Sequence, residues 1–481
     1  MIDSLPDELL VEILDWCRLE SLDDEYRWNY RRRWYNLLQV CRRWRHVMIE
    51  WATSLKLRVL CNSANPITTI PSHLTQIPLI IRFKFLYPVP TRFRRNLVLA
   101  LQDRDRVSGI TISNWGSEDL GLHKALSCAF PMLETLSLAE SHAGRILPSD
   151  NIAPHLRALH LRNIVVPTGC LSPPNAINLS SLRLEKISAI PLDFLVESIA
   201  GMPHLENISI SFLSDYPFPD GVMESPSTQI TSVVLPRLSR LIFTGFITYL
   251  ENLLTQISTP FLQDLRFTIS LKRIPGVVRL SAFLGTLQNL NFQTAVMQFS
   301  GHHMIISYHP DQSSATLPYA KFTIDRPDAG DVGDWGTSVL QICSDVAPAL
   351  SVVESLALES DLVDSSHRPV FRDQPTRWNT VLRPFVGVKT LTINRAFILE
   401  LSKALDPNNG TVITELLPVL SEIVIVSSES RHLTLLDQSF SSFVDARRLA
   451  GSPIDIRVIH PRHRPPSLCP PPISWSFDTF F

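Results

Sequence analysis

LETLSL (133–138), LRALHL (156–161), LSSLRL (179–184) and LENISI (205–210) share one apolar-x-x-apolar-x-apolar pattern and start 23 to 26 residues apart. The alternation over their last four positions is that of a strand with one buried face, because successive strand side chains point to opposite sides. So short a strand cannot bury that face alone. Recurrence at such a period therefore reads as stacked units, each a strand and a returning segment, that cover one another. Working outward, VSGITI (107–112) precedes this group, and LSRLIF (238–243) and LQDLRF (262–267) follow it. Weaker copies come next: LQNLNF (287–292), VESLAL (353–358), VKTLTI (388–393) and LSEIVI (420–425). Successive starts are 26, 23, 23, 26, 33, 24 and 25 residues apart, then 66, 35 and 32.

Proline marks the same phase. It stands two positions before six of the eleven copies, as Pro131, Pro154, Pro203, Pro236, Pro260 and Pro418. There it ends the returning segment and leads into the strand without needing a ladder donor. Three residues after each of the first clear hexads stand Ser141, Ile164, Ile187, Leu213, Phe246 and Ser270. Mostly apolar residues here imply a body held by packing rather than by an Asn or Cys side-chain ladder.

Two apolar runs precede the array, LKLRVLC (55–61) and PLIIRFKF (78–85), and are expected as strands closing its first edge, with residues 53–106 as a connecting and capping segment. The hexad-bearing region is set at 107–430. Within it, residues 299–345 hold HHMIISYH and DRPDAGDVGDWG and read as an insertion or long loop. Residues 431–481 form a C-terminal segment, Pro-rich and expected to be disordered from 460.

Bulk properties narrow the function classes. A chain of 481 residues exceeds what one compact core normally supports. With 45% hydrophobic and 19% charged residues and a formal net charge of -2, it has no global field for nucleic acid or acidic lipid. The seven cysteines are dispersed and include no CxxC, against a disulfide framework or a Cys-rich zinc site. No run is long and apolar enough for a membrane span and no secretory leader is read, so an intracellular protein, cytoplasmic or nuclear, is expected. The sequons at Asn178, Asn207 and Asn409 are then chance matches.

There is no G-x-S-x-G, no G-x-x-x-x-G-K-S/T, no G-x-G-x-x-G and no H-E-x-x-H, and glycine is scarce at 17 residues. His302, His303 and His309 gather beside Tyr308, but neighbouring histidines on a strand point to opposite faces and no acid or Cys completes a ligand set. No cofactor, no metal and no enzymatic activity are expected. Seven arginines lie between residues 27 and 45, yet Glu20, Asp23, Asp24 and Glu25 stand just upstream. A solvated face is the expectation there, not a nucleic-acid site.

The N-terminus has a different grammar. In IDSLPDELLVEILDWC (2–17), Pro6 suits a helix start, Asp7 and Glu8 favour the positive end of the helix dipole, and Leu9, Leu10, Ile13, Leu14 and Cys17 form an apolar stripe. A second helix is expected from about Trp34 to Trp51, with Leu37, Leu38, Cys41, Trp44, Val47 and Met48 on one face and Arg42, Arg43 and Arg45 on the other. Two helices alone bury little, which leaves apolar surface for a partner.

LPDELLVEIL and LLQVCRRWRHV together resemble the F-box, over about the first 50 residues, and the chain is similar to the large fungal group of F-box proteins with a leucine-rich-repeat-like body. The segment RLESLDDEYRWNYRRRWYN separates the two halves more widely than in an ordinary F-box. The resemblance implies an α/β chain: F-box helices at 1–52, then an irregular leucine-rich-repeat-like solenoid of short parallel strands with returning helices or loops. It implies a substrate receptor that docks on a Skp-type adaptor, and through it on a cullin, while the repeats hold an unknown target protein. Leu5 and Pro6 match the start of the family's docking surface, Leu9, Ile13 and Leu14 its first-helix stripe, and Val40, Cys41 and Trp44 its second block, with Leu38 beside it. Outward hexad positions such as His160, Arg183, Ser209 and Arg266 are candidates to line the target face. The alternative is a repeat scaffold that recruits no ligase.

Overall fold

In a computed structural model of the chain, the described residues are 5–19, 36–52, 54–55, 57–85, 90–115, 120–140, 153–166, 171, 176–188, 190–213, 232–270, 278–287, 292–300, 303–309, 319–325, 335–360, 375–407, 415–426 and 439–459. They form an α/β fold of mostly parallel sheet, divided into two compact units. The first takes in the residues up to Ile190 together with Glu197–Leu205; the second takes in Pro191–Val196 and the residues from Glu206 onward.

The first unit opens with helices α1 (Asp7–Leu19) and α2 (Arg42–Glu50). Strands β1 (Val59–Cys61) and β2 (Leu79–Lys84), helix α3 (Thr91–Gln102), strand β3 (Val107–Trp115) and helix α4 (Leu120–Leu126) follow. Strands β4 (Thr135–Glu140), β5 (Ala158–Arg162) and β6 (Ser181–Ile187) complete it. These six pair in chain order and always in parallel, so both apolar runs ahead of the array are strands, as their composition predicts. Register follows the apolar pattern: Leu138, Leu161 and Leu184 stand opposite one another, as do Leu136, Leu159 and Leu182, and all six are buried.

The prolines have a more specific role than ending the return. The N–H of the first hexad residue closes a turn onto the carbonyl three residues back: Leu133 on Phe130 (3.2 Å), Leu156 on Ala153 (3.0 Å), Leu205 on Met202 (3.2 Å). Leu238, Leu262 and Leu420 do the same, at 3.0 to 3.4 Å. In each case proline is the second of the four turn residues, where its fixed φ is already right. The carbonyl of the hexad's second residue then accepts two N–H groups from the next turn of chain. Glu134 O takes those of Arg157 and Ala158, and Arg157 O those of Ser180 and Ser181, at 2.8 and 3.0 Å each time. Serine at this position adds a side-chain rung, Ser180 Oγ to Arg157 O, Ser239 Oγ to Glu206 O and Ser421 Oγ to Lys389 O, each 3.1 Å. These hydroxyls stand singly at their strand entrances, while Ile164 and Ile187 at the exit are buried.

One residue beyond the paired Ser113, Arg162 and Glu185, the backbone takes a left-handed turn, at Asn114 (φ 59°), Asn163 (φ 58°) and Lys186 (φ 49°). Asparagine tolerates that region better than most side chains, and Lys186 occupies it without that advantage. Helix α5 (Leu192–Ala200) comes next in the chain.

The second unit holds β7 (Asn207–Phe212), β8 (Val233–Val234), β9 (Arg240–Gly245), α6 (Ile247–Gln256), β10 (Ile257–Ser258), β11 (Asp264–Ser270) and α7 (Val278–Thr286). It continues with β12 (Thr294–Phe299), β13 (His303–His309), β14 (Ala320–Asp325), α8 (Trp335–Asp345), α9 (Ala347–Leu350), β15 (Ser355–Ser360) and α10 (Pro375–Leu382). It ends with β16 (Thr390–Asn394), α11 (Ile398–Ala404), β17 (Glu422–Val426), α12 (Ser441–Leu449) and β18 (Asp455–Ile459). Its main strand order is β7-β9-β11-β14-β13-β12-β15-β16-β17-β18, while β8 and β10 form a separate parallel pair.

The stretch 299–345, expected as an insertion or long loop, contributes strands to the sheet, β13 running antiparallel between β12 and β14. Two expectations are corrected here. The strand near the weak copy at 287 is Thr294–Phe299, beyond that hexad, whose Leu287 follows α7. The strand-bearing body does not end at 430, since α12 and β18 add one more parallel turn of chain, β18 pairing with β17. Its strand DIRVI lacks the leucines of the consensus, which is why the pattern missed it. The tail from 460 lies outside the described residues.

The core of the second unit is aromatic where helices meet the sheet. Phe299, Trp378 and Phe397 meet edge to face at 5.4 to 5.6 Å between ring centres, and Trp378 Nε1 donates to Glu400 Oε2 at 3.1 Å. Buried Arg447 donates through Nη2 to Pro418 O (2.8 Å) and to the carbonyls of Leu417 and Leu420 (3.4 Å each), holding the turn before β17. Leu417 sits there at φ 50°, a strained value for a non-glycine residue.

Candidate functional site

Two surfaces of the first unit gather the residues singled out from the sequence. One is the N-terminal helix pair. The second helix is interrupted: residues 36 and 37 are helical, 38–40 turn, and α2 starts only at Arg42, because Cys41 is extended (φ -155°, ψ 172°) and caps it, its Sγ accepting from Trp44 N at 3.4 Å. Arg43, expected on a solvated face, reaches back to the start of α1, pairing with Asp7 Oδ1 at 2.6 Å and donating to the carbonyl of Leu5. Arg45 Nε holds the carbonyl of Leu38 at 3.0 Å. Arg43 thus ties α2 to the start of α1 and Arg45 ties it to the turn before it, while both carry charge, which the periodicity did not reveal.

The apolar residues of α1 do not form the single stripe expected of them. Leu10 and Leu14 point inward and are buried, as are Leu38, Val47 and Met48. Leu9, Ile13 and Trp16, at i, i+4 and i+7, form a second stripe with 46%, 41% and 71% of their surfaces exposed. Val40 is 58% exposed, Leu5, Cys41 and Trp44 are half-buried, and Pro6 is exposed. Leu14 and Leu38 therefore serve the pair's own core, and Cys41 serves as a cap. The side chain of Cys17 and residues 20–35 lie outside the described residues. Trp16, the most exposed large apolar residue of the pair, was missed because the i+3 and i+4 spacing of Leu10, Leu14 and Cys17 drew attention to the other face.

The second surface is the face of the six-stranded sheet opposite its leucines. In register across β2 to β6 it presents Arg82, Thr111, Ser137, His160 and Arg183 in one row. The next row is Lys84, Ser113, Ala139, Arg162 and Glu185. Ser137 Oγ lies 3.2 Å from His160 Nδ1, and His160 Nε2 lies 3.4 Å from Oε2 of Glu185, while Oε1 of the same carboxylate pairs with Arg183. Burial would push the Glu185 carboxyl up, but the hydrogen bonds and charges of His160 and Arg183 outweigh it and hold the group down at about 2. Ser209 and Arg266 occupy the corresponding face of the second unit, half-buried, with Arg266 clamped on Asp264 (2.8 Å).

Among the described residues no group of three or more His, Cys, Asp or Glu could hold a metal ion. His303 opens β13 half-buried and His309 ends it buried, on a strand whose middle is apolar; His302, His460 and His463 lie outside the described residues. Cys343 is buried and its thiol is pushed up to about 12 by desolvation, so it stays protonated. Among the described residues no helix is long and apolar enough to cross a membrane.

Fold and surfaces define an α/β chain of mostly parallel strands with an N-terminal helix pair that leaves an apolar stripe uncovered. Compared with models of known protein families and with the curated proteins, the chain matches none.

Proposed function

We propose that the chain is a non-catalytic substrate receptor: its N-terminal pair is an F-box that docks on a Skp-type adaptor of a cullin-RING ubiquitin ligase, and its leucine-rich-repeat-like body holds a target protein. The observation that carries this reading is the exposed stripe Leu9, Ile13 and Trp16 on α1, beside Val40, on a pair whose own core is already filled by Leu10, Leu14, Leu38, Val47 and Met48. Three large side chains along one helix face match the recognition of a helix by a partner's groove, and tryptophan is a favoured anchor. A receptor of this kind speeds ubiquitin transfer only by raising the local concentration of target lysines. The Ser137–His160–Glu185 chain does not change this reading. It lies across a parallel ladder that engages the backbone N–H groups of these strands, which are therefore not turned toward Ser137 Oγ as donors.

The test is co-expression with a Skp-type adaptor and size-exclusion chromatography of the wild type, of the triple variant Pro6→Ala, Ile13→Asp, Trp44→Ala, and of Leu9→Asp alone. A one-to-one complex, lost in the variants while circular dichroism is kept, supports the receptor. A wild type that stays alone and folded rejects it. An adaptor complex that never takes up cullin points instead to a scaffold without ligase recruitment.

A further inference from the structure

Among the described residues, the sheet of the second unit ends on a rung that no further strand covers. β18 stands last in the strand order and pairs with β17 alone. Its side chains continue the core rows: Ile456 is in line with Leu391 and Ile423, and Val458 with Ile393 and Ile425. The four inner residues are fully buried, whereas Ile456 and Val458 are half-buried and Ile459 is exposed. Leu449, the last residue of α12, is 90% exposed. The backbone of β18 is open as well. Asp455 N donates to Ser421 O, toward β17, so by the alternation of a strand Ile456 and Val458 turn their N–H and C=O groups outward. An apolar rung with an open edge accepts a further strand, and a stacked array needs its end covered.

The chain carries a segment that fits. PIDIRV (453–458) leads into β18, and PISWSF (472–477) repeats its pattern 19 residues on: proline, isoleucine, then two apolar residues each preceded by a polar one. Pro470 stands two positions before the second copy, the phase proline takes before six of the hexads. Residues 460–471, HPRHRPPSLCPP, connect the two copies. Extended as polyproline they reach about 37 Å, while a return along a five-residue strand needs about 17 Å. We propose that residues 472–477 form a further parallel strand on β18, with Ser474 opposite Asp455, Trp475 opposite Ile456, Ser476 opposite Arg457 and Phe477 opposite Val458. Trp475 and Phe477 then extend the two core rows, while Ser474 and Ser476 stand on the face that Arg457 shares with Glu422. The open end is thus covered by the chain itself, in place of the disorder expected from its prolines, whether or not the N-terminal pair docks an adaptor.

The experiment uses the full chain. Hydrogen exchange read by mass spectrometry follows the peptide that contains Ile456 and Val458. Its amides should exchange at least about tenfold more slowly in the wild type than in Trp475→Asp with Phe477→Asp, while Ser467→Asp in the connecting stretch leaves the rate unchanged. Direction is read by disulfide trapping in a Cys469→Ser background. Arg457→Cys with Ser476→Cys, and separately Asp455→Cys with Ser474→Cys, should each link within one chain, because facing residues of adjacent strands stand within disulfide reach. Glu422→Cys with Ser476→Cys, one strand further at about 9.6 Å, should not link. Exchange in the wild type as fast as in the double variant overturns the proposal, and so does equal linking of all three pairs. A preference of Asp455→Cys for Asp478→Cys over Ser474→Cys makes the added strand antiparallel and overturns the parallel register. Links that form only between two chains make the occupant a second copy and overturn covering by the chain itself.

Discussion

Gly387 lies where two successive turns come closest. A Cβ there would stand 2.5 Å from Ser351 O and 3.1 Å from Val353 O, backbone atoms that cannot swing aside. Gly387→Ala should therefore lower stability by about 1–3 kcal/mol, read as a shift in the denaturant midpoint at unchanged slope. Glu185 makes a pH-dependent prediction. Its carboxyl is held near 2 in the folded chain against an ordinary 4.5, so its stabilisation is complete above 4.5 and is lost as pH falls towards 2. Glu185→Gln should cost up to about 3 kcal/mol at neutral pH, with the difference from wild type shrinking through that window in urea titrations. Neither residue was prominent in the sequence. The glycine's need for space is set by Ser351 and Val353, and the glutamate's contact with His160 spans 25 residues, separations that no local pattern carries, although its other partner Arg183 stands only two residues away.

At the scale of the element, the hexads were the legible part. Their alternation is set by a two-residue period and one buried face, both local properties, and each clear copy from 133 to 262 leads into a strand. The prolines were legible too, although their place as second residue of a turn needed the hydrogen bonds of the next residue. Reversed β13 was not legible, because an apolar strand reads the same in either direction and direction is decided by what pairs with it. Nor was the division of α1 into two stripes, since a helix apolar on two sides has no single direction to detect. The left-handed exit of the strands suggests an improvement: Lys186→Asn, matching Asn114 and Asn163, should raise the melting temperature, by a gain on the order of 0.5–1 kcal/mol. In the helix pair, Trp16→Asp should leave the chain's own stability within about 0.5 kcal/mol and yet weaken adaptor capture, because the side chain is 71% exposed.

Over the whole molecule, charge is nearly balanced, with a formal net charge of -2 and a pI near 6.7. Low net charge together with an uncovered apolar stripe favours self-association, so the chain expressed alone should be least soluble near its pI. An adaptor that binds only the folded chain should raise its apparent stability by about 2.7 kcal/mol at a hundred times the dissociation constant, seen as a concentration-dependent melting temperature. A melting temperature indifferent to adaptor would count against the receptor. The reversal in the second unit also bears on the order in which the chain is made. Strands added in sequence can each pair with the strand synthesised just before. The edge of β11, however, is filled by β14, so it stays open from Ser270 until Ala320 has emerged, while β12 and β13 wait on their own hairpin. During that interval an unpaired edge faces solvent or any chaperone at the ribosome exit, and truncated chains ending between those residues should be the ones that aggregate during translation.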